Sequence, residues 1–177
     1  MTVDRAASPP AGRIRAADVL LDGVFTGAIG GIAVAVWFLI LDTIAGRPLF
    51  TPSLLGNVLL HGGTSAAQNV TVQPLEVAAY TAFHFIVFLV AGILFSWLMT
   101  LFEKFPIVGF VLLVLFACLQ VGFFALNVAL GAQLMGQLQP WSVITANLIA
   151  AACMSIYLWK RHPKIRQTLD HAWDAED

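Results

Sequence analysis

From Phe105 to Trp159 the chain carries no Asp, Glu, Lys, Arg or His. Charge is scarce elsewhere too: 11% of residues are charged, against roughly a quarter in an ordinary soluble domain. Thirteen of the nineteen charged residues lie in 1–18 or 160–177, which leaves only Asp22, Asp42, Arg47, Glu76, Glu103 and Lys104 for everything between. That shortage excludes a soluble globular domain. A net charge of −1 excludes a nucleic-acid partner.

Cysteine and histidine are also sparse. The two cysteines, Cys118 and Cys153, both fall in apolar runs. Counted from the inner ends of their helices they lie ~21 Å and ~10 Å deep, a mismatch that argues against a disulfide, whose Cα atoms sit roughly 4.4–6.8 Å apart. They read as small packing residues. Of the four histidines only His84 lies within an apolar run. Haem held between helices usually needs two facing histidines, which one copy of this chain does not supply inside a membrane, though a symmetric dimer would. No Ser-His-Asp set, CxxC, HExxH, P-loop or GxGxxG is present, so nothing argues for catalysis and no cofactor is expected.

What the chain has is apolar length. Hydrophobic residues make up 59% of it, and the mean hydropathy is +0.86. Four runs qualify as spans, at about 19–44, 76–102, 106–130 and 141–159. The second (EVAAYTAFHFIVFLVAGILFSWLMTLF) makes a helix ~39 Å long against a hydrocarbon core of ~30 Å, and the other runs are expected to pack around it. Residues 1–17 and 161–177 read as polar tails flanking a transmembrane domain at 18–160. In the loop at 45–75, Gly46 and Pro48 end the first span, while Thr51 reads as an N-cap with Pro52 at the first helical position. Leu54, Leu55, Val58 and Leu59 share a face, so 52–60 is expected to be an amphipathic helix at the outer interface. The expected fold is an all-α integral membrane protein: a four-transmembrane-helix bundle with a short interfacial helix between helices 1 and 2.

Orientation follows from basic residues. Three arginines precede the first span, Lys104 sits in the 103–105 turn, and four basic residues follow Trp159. The 45–75 loop has only Arg47, and 131–140 has none. Both termini are therefore expected in the cytoplasm, with the bacterial inner membrane as the location. Trp37 and Trp141 then fall near the outer face.

Two groups of residues bear on function. Gly23, Gly27, Gly31 and Ala35 recur every four residues, a ladder that lets a second backbone approach closely. Its mate is either the protein's own second or fourth helix or another subunit. The other group is polar. Glu76, Tyr80 and His84 are spaced i, i+4, i+8 and form a stripe descending from the outer surface. Asp42 sits in the last turn of the first span, where the helix dipole disfavours an acid, so it needs a partner, with Arg47 nearest. Polar groups facing lipid forfeit their hydrogen bonds. His84, Asn127 and Asn147 are therefore expected to meet at similar depth, with Tyr80, Glu76 and Asp42 above and Gln120 deeper. Such groups act as interhelical hydrogen bonds of roughly 0.6–2 kcal/mol, or they line a pocket for a lipid headgroup, a quinone or a pigment edge. Asp42, His61 and Glu76 could also approach a metal at the outer surface.

Three functional readings follow. The first is a non-catalytic accessory subunit of a larger membrane complex, or a homo-oligomer, packed through the glycine-rich first helix. The second is a protein that binds or transports a lipid, quinone or solute in an outer polar pocket around His84. The third is a lipid-modifying enzyme whose reaction the residues do not name. Expected partners are the bilayer and other membrane subunits or a second copy.

Overall fold

The computed structural model describes residues 16–62, 71–102 and 139–161. They form helices α1 (Ala16–Ile44), α2 (Phe50–His61), α3 (Pro74–Phe102) and α4 (Pro140–Arg161), and no strand occurs among the described residues. Three of these, α1, α3 and α4, are long and apolar enough to cross a membrane, with hydropathies of 2.3, 2.2 and 1.6. The chain is accordingly a multi-pass membrane protein. The run expected to span at 106–130 lies outside the described residues, as do Lys104 and most of both tails.

α1 stops where its sequence says it should. The Gly46 N–H donates to the Thr43 carbonyl at 3.0 Å, and the Arg47 N–H to the Asp42 carbonyl at 2.8 Å, with Gly46 at φ 69°. This is a Schellman cap, in which glycine takes the left-handed conformation at no steric cost. The next helix begins differently from expectation. Leu49, not Thr51, is the N-cap residue; it too is left-handed (φ 65°), has no capping side chain, and starts α2 at Phe50. Thr51 and Pro52 therefore lie inside the first turn. Of the leucines expected on one face, Leu54 is fully buried and Leu59 is exposed. α3 opens on Pro74, whose missing N–H costs nothing at a helix start. Ser53 Oγ ties α2 to that start, accepting from the Gln73 N–H and donating to the Thr71 carbonyl, both at 3.2 Å.

Among the described helices α2 packs on the 76–102 helix as expected, but α4 packs on α1 instead. α1 packs along both α3 and α4, which scarcely touch each other. Its two faces differ. Toward α3, a Cβ at Gly23 would meet the Ile93 backbone, and one at Gly27 would meet the Phe88 carbonyl. Gly92 of α3 answers from the other side, set against the backbones of Gly23 and Gly27. The residue order makes the pair antiparallel. Toward α4, Gly30 receives the Met154 sulfur, and Val34 clusters with Ala146 and Ala150. The Trp37 indole N–H donates to the Ser142 carbonyl at 3.0 Å, with Trp141 in edge contact at 6.4 Å between rings. At the far end Asp22 pairs with the Arg161 guanidinium at 2.8–2.9 Å. α4 is thus also antiparallel to α1. The physical logic is that lipid tails are as apolar as the side chains, so helices associate by dispersion, and small residues allow more of it.

The seam yields a graded prediction. Gly27→Ala drives a methyl into a backbone carbonyl and should lower unfolding stability in detergent by about 1–3 kcal/mol, the usual cost of overpacking. Gly31→Ala, whose Cβ would lie 3.2 Å from the Phe85 ring, should cost less. Denaturant titration followed by circular dichroism reads both. Wild-type stability in Gly27→Ala would refute the packing described.

Candidate functional site

The seam ends at Gly31. One step further along α1, Ala35 does not join it but is exposed and lines a cavity of about 200 Å³ between α1, α2 and α3. α1 contributes Val34, Ala35, Val36, Phe38, Leu39 and Asp42; the entry to α2 contributes Leu49, Thr51 and Pro52; α3 contributes Val77, Tyr80, Thr81, His84 and Phe85. The walls are mainly aliphatic and aromatic. Three expected site residues, Asp42, Tyr80 and His84, meet here.

His84 is held by the seam itself. Its Nε2 lies 3.1 Å from the Gly31 carbonyl oxygen. A carbonyl only accepts, so Nε2 carries the proton, and the neutral ring keeps Nδ1 as an acceptor. Three rings fix the imidazole: Tyr80 at 5.7 Å, Phe85 at 5.6 Å edge-on, and Phe88 at 4.7 Å. The third glycine of the ladder thus has a second use. Its backbone carbonyl receives the imidazole of another helix.

Asp42 forms the other end of the cavity. Its carboxylate accepts from the Thr51 N–H at 2.7 Å and from the Thr51 hydroxyl at 2.8 Å, and the residue is buried. The partner expected for it, Arg47, is engaged elsewhere, with its guanidinium 3.9 Å over the Phe50 ring. The reason is geometric. Leu49 has no side-chain acceptor for the free N–H groups of the first turn of α2, and the Asp42 carboxylate supplies one from the end of α1. An acid at an unfavourable helix C-terminus is thereby placed at a favourable N-terminus.

Glu76 does not line this cavity. Each four-residue step turns a helix by ~400°, so Glu76 and His84 point ~80° apart around α3 and the stripe slants. Glu76 faces the end of α2, where Oε1 lies 3.7 Å from His61 Nε2 and Oε2 is buried without a hydrogen-bond partner among the described residues. The backbone of Glu76 packs directly on Gly56 of α2. Asn147 stands apart as well, on α4 beside Ala146, and makes no hydrogen bond among the described residues. Gln120 and Asn127 lie outside the described residues. No group of three potential metal ligands occurs among those described. Asp42 turns toward Thr51 at the start of α2, whereas His61 and Glu76 meet at its end.

The sequence reading missed three contributors. Thr51 was an N-cap candidate, not a ligand of Asp42. Gly92 was hidden in an apolar run, although a glycine there costs helix stability and so marks a close approach. Asp22 was counted only among the six internal charges, although an acid one turn inside a span needs a counter-ion, and Arg161 at the last span's end was available.

Hydrogen bonds to a charged group contribute about 1.5–3 kcal/mol, so Asp42→Ala and Thr51→Val should each destabilise and show a coupling of that order in a double-mutant cycle. Independent effects would break the link between α1 and α2. No family model matches this chain, and no match to it is found among curated proteins or solved structures.

Proposed function

We propose that this chain binds a small amphipathic molecule dissolved in the membrane, a lipid, quinone or similar solute, in the cavity beside His84. The observation that carries this reading is the cavity's composition: an imidazole and a phenol set in mainly aliphatic and aromatic walls, with the Asp42 carboxylate at one end already engaged by Thr51. Two of its lining residues, Val36 and Leu39, are 48% and 45% exposed on α1, a membrane-spanning length of helix. The cavity therefore borders the surface that lipid covers, and a ligand can reach it from the bilayer. Asp42 does not recommend the site for ions, since its carboxylate is engaged by Thr51.

A four-span bundle in the bacterial inner membrane, with both termini in the cytoplasm, is the setting. Support comes from direction. α3 and α4 both run antiparallel to α1, from the Asp42 end toward the Asp22 end, so the chain between them has to return across the membrane. This reading assigns that return to the 106–130 run, and Lys160 and Arg161 favour an inside location for the Asp22 end. α2, lying between the outer ends of α1 and α3, is the interfacial helix of this arrangement.

The accessory-subunit reading has its own support. Only 17% of the most apolar window of α3 is buried, and Phe83, Ile86, Val90 and Leu94 are exposed along it. Since the glycine face of α1 is occupied by α3, a partner or second copy would meet α3 on this other face. Nothing in the cavity favours a lipid-modifying enzyme.

Mass spectrometry of the protein extracted in a gentle detergent tests the binding reading. One amphipathic molecule per chain should co-purify with the wild type and be lost from Ala35→Phe, which fills the cavity from an exposed position. Equal retention by that variant would exclude the cavity as the site. For the second reading, a bulky residue at Val90 should release any co-purifying chain and leave the small molecule in place; unchanged association would exclude that face.

A further inference from the structure

We infer that the cavity takes a monocyclic phenol or hydroquinone, whose hydroxyl donates to His84 Nδ1 and whose ring stacks among the cavity's aromatic side chains. The inference rests on the binding reading above and narrows its ligand class. Three observations lead to it.

The first is polarity. The contact with the Gly31 carbonyl assigns His84 Nε2 as the donor, which leaves Nδ1 of a neutral imidazole as an acceptor on a residue that lines the cavity. An acceptor repels ester, ketone and ether oxygens and selects a hydroxyl. One turn away, the Tyr80 hydroxyl makes no hydrogen bond among the described residues, and Tyr80 lines the same cavity. It is free to donate to a second oxygen on the ligand, such as a neighbouring hydroxyl or methoxy group. In an apolar surrounding each such bond is favoured, since neither partner has water as an alternative.

The second is size. The cavity is about 200 Å³. An apolar cavity of about 150 Å³ holds a benzene, so this one fits a single substituted ring.

The third is wall chemistry. Phe38, Tyr80, His84 and Phe85 present four rings to the space. Flat ligands gain offset-stacked and edge contacts there that a linear acyl chain does not. A chain attached to the ring would leave past Val36 and Leu39 into lipid.

The test uses the full chain in nanodiscs, under anaerobic conditions, with two probes: 2,3-dimethoxy-5-methylhydroquinone and its di-O-methyl ether. Affinity is read by calorimetry. The hydroquinone should bind about tenfold or more tightly than the ether, the discrimination expected for a lost buried hydrogen bond. His84→Phe, which keeps the ring and removes the acceptor, should weaken the hydroquinone about tenfold and leave the ether unchanged, so that the preference disappears. A merely structural role for His84 would weaken both probes alike. Tyr80→Phe, which preserves packing, should weaken the hydroquinone by a smaller factor and serves if His84→Phe does not fold. Equal binding of the two probes to the wild type overturns this inference and leaves the cavity as an apolar binding site. Binding of neither probe, with a co-purified lipid still lost from Ala35→Phe, overturns it in favour of an acyl ligand. Binding of neither, with nothing co-purified, overturns both readings.

Discussion

The close approach of the α1 and α3 backbones is the constraint on which the rest depends. Helices in hydrocarbon gain little from hiding apolar side chains, because lipid offers them the same surroundings. What remains is contact density, and Gly23, Gly27 and Gly92 maximise it by removing the side chains that would keep two backbones apart. The same approach brings a histidine of α3 within hydrogen-bond reach of a carbonyl of α1. Where the small residues stop making that contact, at Ala35, the cavity begins. Packing and site are two ends of one seam.

The acids show how a nearly uncharged chain handles the few it keeps. Asp22, buried near one end of α1, is matched by a guanidinium from the end of α4. Asp42, buried near the other end, replaces the missing side-chain cap of α2 through two hydrogen bonds to Thr51. Glu76 lies in the first turn of α3, where the dipole favours it, and shares its space with His61. Each acid therefore joins two elements: α1 to α4, α1 to α2, and α2 to α3. The polar groups set which helix ends meet, while the glycines set how closely the helices lie.

The three spans among the described residues, and the break between the first two, were legible because composition and length decide them locally. No charged residue interrupts 77–102, and Gly46 and Gly62 mark the ends of α1 and α2 wherever the helices point. The glycine ladder was legible as a close-approach surface, though not its mate. A comparable series on α4, Ser142, Ala146 and Ala150, faces inward with equal regularity and was overlooked because alanine does not stand out in an apolar run. Within the site, Asp42, Tyr80 and His84 were identifiable as polar groups in apolar surroundings. Their neighbours were not, because Gly31 acts through a backbone carbonyl and Thr51 through a backbone N–H as well as its hydroxyl, and which acceptor or donor these meet depends on how the helices lie.

By itself, then, the sequence determined that the chain is helical, apolar enough to cross a membrane several times, and polar at a few countable positions. Those properties depend on residue type and run length alone. Only the tertiary structure decided that α4 packs on α1, that the ladder of α1 faces α3, and that Glu76 parts company with His84. Each of these is a question of helix rotation. A helix that is apolar all round has nearly the same free energy in lipid at any rotation, so its pattern does not select one. Rotation is settled when glycines, a carbonyl and a carboxylate find their counterparts on another helix.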